Sequence, residues 1–432
     1  MRGAWRQAAR LAEATPAARD RSVDLLRALS ILVVVFGHWL MYAPFVAADG
    51  PHYGHMLDRA PWTQWLTWGL QVMPVFFMVG GYANSTSWES ARRDGRDYRA
   101  WLAARLRRLL VPVLPLLVFW GVAARVADLT GVPREMTRLG SISALVPTWF
   151  LSIYVVVVML APFGAAAWRR WGIASFWLPA LCAAVVDVVD LRIGLGLWAF
   201  VDYLFVWGAV HQLGCAWRAG VPRAAAWRWF LGGLVALVAL TGFGPWPHSL
   251  VGVPGAELTN NTPPRLPLLA LAALQFGGVV LLRPALGAWM ARPRAWTGAV
   301  LVNGLIMTVF LWHSTAMLAA SGLAMLAGGV GLSTAPESFL WWLLRAPWLA
   351  AYLLLLLPLV AVFARFERTP AGAAPPTWRM IAGSLVASGG IGVLAYGGVT
   401  GEGNSELLLL GATLAGLLLA IAPGRALRVA DR

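Results

Sequence analysis

Lysine is missing altogether: all 34 basic residues of the 432-residue chain are arginines. Charge of either sign is scarce, at 12% of positions where a soluble domain carries roughly 25%. With 59% of the positions apolar, that scarcity excludes an ordinary water-soluble globule. Cysteine is nearly absent too. Cys182 and Cys215 both lie in apolar surroundings, which argues against a disulfide framework or a thiolate metal site. There is no P-loop, no dinucleotide-binding glycine fingerprint and no HExxH. The net charge of +15 does not point to nucleic acid, because the arginines sit in short clusters between apolar runs and not along one solvated face.

What the sequence has in abundance is apolar runs. Those long enough to span a bilayer fall near 25–47, 61–84, 109–127, 144–167, 174–190, 194–216, 227–244, 266–287, 297–325, 339–363, 378–397 and 406–422. The expected fold is all-α: a polytopic transmembrane helical bundle of about ten core helices plus a C-terminal hairpin, about twelve in total. Twelve crossings put both termini on one side. If that side is the cytoplasm, the arginines divide 27 inside to 7 outside, as the positive-inside rule requires. The chain thus reads as a multi-pass cell-membrane protein with cytoplasmic N- and C-termini and with membrane lipids among its partners. Residues 1–24 form a cytoplasmic tail, 25–368 a transmembrane core, 369–377 (TPAGAAPPT) a linker, and 378–432 an accessory hairpin with a short tail. The Pro-, Gly- and Asn-rich stretch 245–265 is the longest outer loop.

Ionisable residues in such a background are costly and point to function. The first run carries Asp24, Arg27 and His38. At 100° per residue, Arg27 lies about 20° and Asp24 about 40° from His38 in azimuth, so all three share a helix face. Arg27 and His38 are separated by about 16 Å along the axis, which leaves the arginine near the inner interface and the histidine deep in the membrane. His313 also falls in the interior, about sixteen residues into its run. His211, near the cytoplasmic end of another run, and Asp202, in the middle of the same run, lie on opposite faces and read as structurally satisfied groups. His52, His55 and His248 lack metal-ligand spacing and read as solvated loop residues, so no metal site is expected. The inner loop 88–108 holds seven arginines. Arg105 and Arg108, three apart, share a face if a helix begins early, and their planar forks suit phosphate. Anchoring to anionic lipid is the competing explanation for that cluster. The glycines in PVFFMVGGYANSTS at 74–87 permit close helix packing.

Taken in order, these elements resemble the acyltransferase-3 family of integral membrane O- and N-acyltransferases. The resemblance begins with Asp24-Leu25-Leu26-Arg27, ten residues and His38. It runs through Pro74-Val75-Phe76-Phe77 with Gly81-Tyr82, Arg105-x-x-Arg108-Leu109 before Pro112, Thr148-Trp149-Phe150-Leu151, and Phe310-Leu311-Trp312-His313. It covers roughly residues 20–365 and leaves the last hairpin outside. Gly80 and Ile306 stand where the family commonly has Ser, and Phe310 where it commonly has Tyr.

The resemblance implies a ten-helix core that passes an acyl group from cytoplasmic acyl-CoA to an acceptor. It makes His38 the catalytic residue, Arg27 its partner in the first-helix motif, and Arg105 with Arg108 the contacts to the donor. The acceptor is a glycan, a lipid or a small molecule. Acyl-CoA is a co-substrate, and no tightly bound cofactor is expected. Asp24 and His313 complete the set of expected catalytic residues. The chemistry is consistent: a neutral imidazole can take the proton of an attacking hydroxyl or amine, and inner arginines can hold a charged donor that cannot cross the apolar core. A proton-coupled secondary transporter would use the same buried groups, but the two halves of the chain show none of the mutual similarity of such carriers. A non-catalytic sensor on a decayed enzyme scaffold is a third reading, and the joint presence of Arg27, His38, Arg105 and Arg108 argues against it.

Overall fold

A computed structural model describes residues 2–16, 19–47, 50–368, 372–400 and 405–423. The first helix is α1 (Arg2–Glu13), and α2 (Arg21–Met41) follows it. Asp20 caps α2 by accepting the Ser22 N–H, the usual role of a side-chain oxygen just before a first helical turn. Helical conformation stops at Met41, because Pro44 would clash with the Leu40 carbonyl of a continuing helix and forces Ala43 into extended backbone. An antiparallel ribbon results: β1 (Tyr42–Ala47) and β2 (Gly50–His55) pair Tyr42 with His55 and Ala47 with Gly50. The expected span at 25–47 is therefore a shorter helix with a ribbon at its end. That ribbon is the one sheet among the described residues.

Two single-turn helices, α3 (Met56–Arg59) and α4 (Thr67–Leu70), lead into α5 (Met73–Arg93). Then come α6 (Tyr98–Leu110), α7 (Val113–Leu129), α8 (Arg134–Leu145), α9 (Trp149–Trp171), α10 (Ala174–Ile193), α11 (Asp202–Ala219) and α12 (Arg223–Phe243). The chain continues through α13 (Leu266–Met290), α14 (Pro293–Asn303), α15 (Ile306–Leu326), α16 (Phe339–Phe363), α17 (Thr377–Gly397) and α18 (Ser405–Ile421). The protein is a multi-pass membrane protein. Among the described residues ten helical stretches are long and apolar enough to cross: α2, α5, α6–α7, α8–α9, α10, α12, α13, α15, α16 and α17.

The two remaining expected spans are shorter or more polar. Helix α18 has 17 residues, about 26 Å, slightly less than a hydrocarbon core of about 30 Å. Helix α11 begins only at Asp202, because Gly194 and Gly196 take positive φ and a 3₁₀ segment fills Gly196–Val201. Twelve of its eighteen residues are buried, so it sits within protein and its sequence can be polar. The expected loop at 88–108 is mostly helix, with Asp97 capping α6 through the Ala100 N–H. The expected run 297–325 breaks at Gly304 into α14 and α15. The tail, too, contains structure: α1 packs on α14, and Trp296 Nε1 donates to the Ala12 carbonyl at 3.2 Å.

The chain divides into two compact units. One comprises residues 1–87, 161–306 and 324–348, and the other 88–160, 307–323 and 349–432. In the first unit α5 and α11 meet at Gly81 and Gly214, where an added Cβ would collide with opposing backbone, the usual use of small residues between membrane helices. Phe77 stacks on Trp207 beside this crossing, with ring centroids 4.4 Å apart. In the second unit α17 and α18 close through Gly383, Gly390 and Gly416. The C-terminal hairpin belongs to the second unit.

Candidate active site

The N-terminal end of α2 holds a buried carboxylate. Asp24, 6% exposed at its side chain, accepts from Arg19 Nε and Nη2 at 2.7 Å each, in bidentate fashion. Arg27 Nη1 approaches the same carboxylate at 3.4 Å from one turn along. Asn303, at the end of α14, donates Nδ2 to the Asp24 carbonyl at 2.8 Å. Arg27 is therefore oriented by Asp24, and both are anchored by a helix distant in sequence.

His38 lies in the last turn of α2, half-buried, where the sequence suggests mid-membrane depth. The difference follows from the early end of the helix at Pro44. Tyr42, whose N–H bonds the His38 carbonyl, is the ladder partner of His55. The ribbon consequently brings His55 within electrostatic reach of His38. His55 Nδ1 accepts the Leu57 N–H at 3.3 Å, so the proton of its neutral ring is on Nε2. Burial pushes the His55 pKa below its ordinary 6.5, with Asp58 opposing. His52 stacks on Phe45 with ring centroids 5.1 Å apart. Neither is the freely solvated loop histidine that the sequence suggests, because pairing of β1 with β2 packs both. His248 is exposed and lies 4.7 Å from the Trp65 ring centroid.

The remaining expected residues belong to the second unit. Arg105 and Arg108 are both on α6. Arg105 is half-buried with its guanidinium carbon 5.8 Å from the centroid of Trp101. Arg108 is exposed and acts electrostatically on Glu367. That carboxylate accepts from the Thr308 N–H at 2.7 Å and the Thr308 hydroxyl at 2.5 Å, capping the first turn of α15. His313 lies five residues beyond Thr308 on α15 and is fully buried. It sits only eight residues into its helix, since Gly304 interrupts the longer expected run. Its Nδ1 donates to the Phe310 carbonyl at 2.6 Å, which places Nε2, 3.2 Å from Ser314 Oγ, as the acceptor of a neutral ring.

Two polar residues of α11 part company. His211 Nε2 lies 3.3 Å from Asn84 Nδ2, a buried structural contact. Asp202 is the first residue of α11 and not a mid-helix group, and its buried Oδ1 has no hydrogen-bond partner among the described residues.

Sequence reasoning missed Asn303, Glu367 and His55 as members of these surroundings. For Glu367 the signal was a lone carboxylate ending an apolar run. For the other two only folding provides it. Two motif fragments do meet, since Phe150 packs edge-on to Phe310 at 5.8 Å, and Trp312 of the second fragment stacks on Phe363 of α16 at 3.9 Å. The profile of the acyltransferase-3 family, described as an acyltransferase domain, matches residues 20–365. The chain belongs to the acyltransferase-3 family. Membership makes it an acyltransferase, with an acyl donor and an acceptor as substrates. No curated protein and no solved structure matched the chain. The acyltransferase-3 region contains Asp24, Arg27, His38, Arg105, Arg108 and His313, and it ends before α17 and α18.

Proposed function

We propose that this acyltransferase moves an acyl group, acetyl in the simplest case, from cytoplasmic acyl-CoA to a hydroxyl or amine of an envelope glycan, a lipid or a small molecule. His38 acts as general base. It takes the proton of the acceptor as the acceptor oxygen or nitrogen attacks the thioester carbonyl, and the carbon–sulfur bond breaks to release the CoA thiolate, which is then protonated. The observation that carries this reading is the family match together with Asp24, Arg27 and His38 on one face of α2. Eleven residues separate Arg27 from His38, about 16 Å of helix, a length comparable with an extended acyl-pantetheine arm. Arg27, oriented by Asp24, is the positive end of that path.

Arg105 and Arg108 bind donor phosphates, for which guanidinium forks are geometrically suited. His313, with Nε2 as its acceptor nitrogen, is a second proton-accepting group in the family region. In this reading both chain termini lie in the cytoplasm, in keeping with the division of the arginines. The test is acyl-CoA turnover by purified protein with an envelope extract as acceptor. His38→Ala lowers turnover by about 10²–10⁴ with an unchanged melting temperature. Full turnover in a folded His38→Ala protein would refute the assignment.

A further inference from the structure

In the first unit, helices α10, α12 and α13 leave an apolar groove of about 740 Å³ between them, within the size range of small-molecule sites. Its floor follows from the sequence of α12, where Arg228, Gly232, Ala236 and Leu240 recur every fourth residue and line it. Gly232 has nothing within 4 Å of where a Cβ would stand. α12 and α13 pack backbone to backbone at Gly233, and the groove lies between this pair and α10, with Gly232 and Ala236 adding no bulk to fill it. Along α12 the lining runs from Ala225 to Leu240, about 22 Å, more than the roughly 15 Å depth of one leaflet.

The two ends of the groove differ. At one, Trp177 stacks on Trp229 at 5.6 Å, and Arg228 is exposed with no ion pair among the described residues. The other end is lined by aliphatic side chains such as Leu240, Leu266 and Ala184. An aromatic pair and an arginine at one end of an apolar channel match the build of a lipid, whose anionic headgroup and tail have the same polarity in the same order. α10 and α12 are the least buried of the membrane-crossing helices that lie wholly in this unit, so hydrocarbon reaches the groove directly.

We propose that this groove holds one acyl chain of an anionic glycerophospholipid, with the lipid phosphate on Arg228. The occupant is a resident lipid and is independent of the acyl donor and acceptor.

Native mass spectrometry of the full-length protein, equilibrated with vesicles of equal phosphatidylglycerol and phosphatidylcholine, tests this. The wild-type protein retains one phosphatidylglycerol in preference to phosphatidylcholine by about fivefold, the worth of one arginine near a charged headgroup. Arg228→Gln, an exposed change, removes the preference. Gly232→Phe fills the channel and abolishes retention of both lipids. Its backbone is ordinary helix, where replacing glycine raises helix propensity, and Ala236→Phe provides the same blockade should the first variant fail to fold. Equal retention of the two lipids by wild type, an unchanged preference in Arg228→Gln, or undiminished retention in folded Gly232→Phe or Ala236→Phe would each overturn the proposal. So would dimerisation of the wild type that Gly232→Phe disrupts, since a second copy would then be the occupant.

Discussion

Two groups of arginines in this acyltransferase do opposite things. In the first unit Arg265, 8% exposed, donates Nη1 to Asp187 at 2.5 Å and Nη2 to Asp190 at 2.6 Å. Asp187 also accepts from Trp246 Nε1 and the Leu266 N–H, both at 3.0 Å, and Asp190 from the Leu195 N–H at 2.8 Å. These carboxylates are spoken for, and the network ties α10 to the start of α13. In the second unit two arginines of α6 bond to backbone carbonyls. Arg99 donates to the Ala374 and Pro375 carbonyls at 2.5 and 2.9 Å, and Arg107 to those of Gly372 and Ala373 at 2.6 and 2.5 Å. Two arginines thus hold the described part of the linker, while Arg105 and Arg108 lie elsewhere on the same helix. A buried arginine between acids is scaffold, whereas Arg105 and Arg108 sit on partly exposed positions of α6 and are the ones proposed to meet the donor.

The sharpest way to break this contrast is Arg265→Ala. It strands the buried Asp187 carboxylate and the part-buried Asp190 beside it, and is expected to cost about 3–5 kcal/mol, read as a large fall in melting temperature. If stability were unchanged, the network would not be scaffold. Next in size, Arg105→Ala and Arg108→Ala are each expected to raise KM for acyl-CoA roughly tenfold, the loss of one charge-assisted contact, with the melting temperature held. A loss of stability without a change in KM would place them with Arg265.

Smaller still is the joint change Arg99→Ala and Arg107→Ala. These partly exposed contacts contribute on the order of 1 kcal/mol. The expected result is faster hydrogen exchange and easier proteolysis at 372–376, with KM for acyl-CoA unaltered. Should KM rise as well, the four arginines of α6 would form one donor surface.

The smallest effect concerns pH at the ribbon beside His38. Burial holds the folded-state pKa of His55 below 6.5. As pH falls through 6.5, the unfolded chain takes up a proton that the folded chain does not, so stability declines until the folded pKa is passed. His55→Gln flattens that part of the melting-temperature profile, and a profile identical to wild type would show that the ribbon does not sense His55.

Much of the fold was legible because hydrocarbon is an unforgiving solvent. Apolar runs have to become helices, and their lengths follow from bilayer thickness. The positions of Asp24, Arg27 and His38 on one face needed only helical periodicity. Errors arose where the same apolar letters serve another purpose. Residues 42–47 look like more span, yet Pro44 turns them into strand and leaves His38 in a final helical turn. Helix α11 looks like a span broken by polar residues, yet it is buried among protein neighbours that satisfy His211.

The residues around the candidate site were less legible, because they come from far away in sequence. Asn303 reaches Asp24 across 279 positions, and Glu367 reaches Thr308 across 59. Composition and spacing by themselves determined that the chain is a multi-pass helical membrane protein, and they carried the motif fragments by which it was placed in its family. Only tertiary structure decided which carboxylates pair with Arg265, which histidines are packed, and where a groove opens between α10 and the α12–α13 pair. Periodicity governs what one helix presents, whereas partnership depends on which helices become neighbours, and that is set by packing along the whole chain.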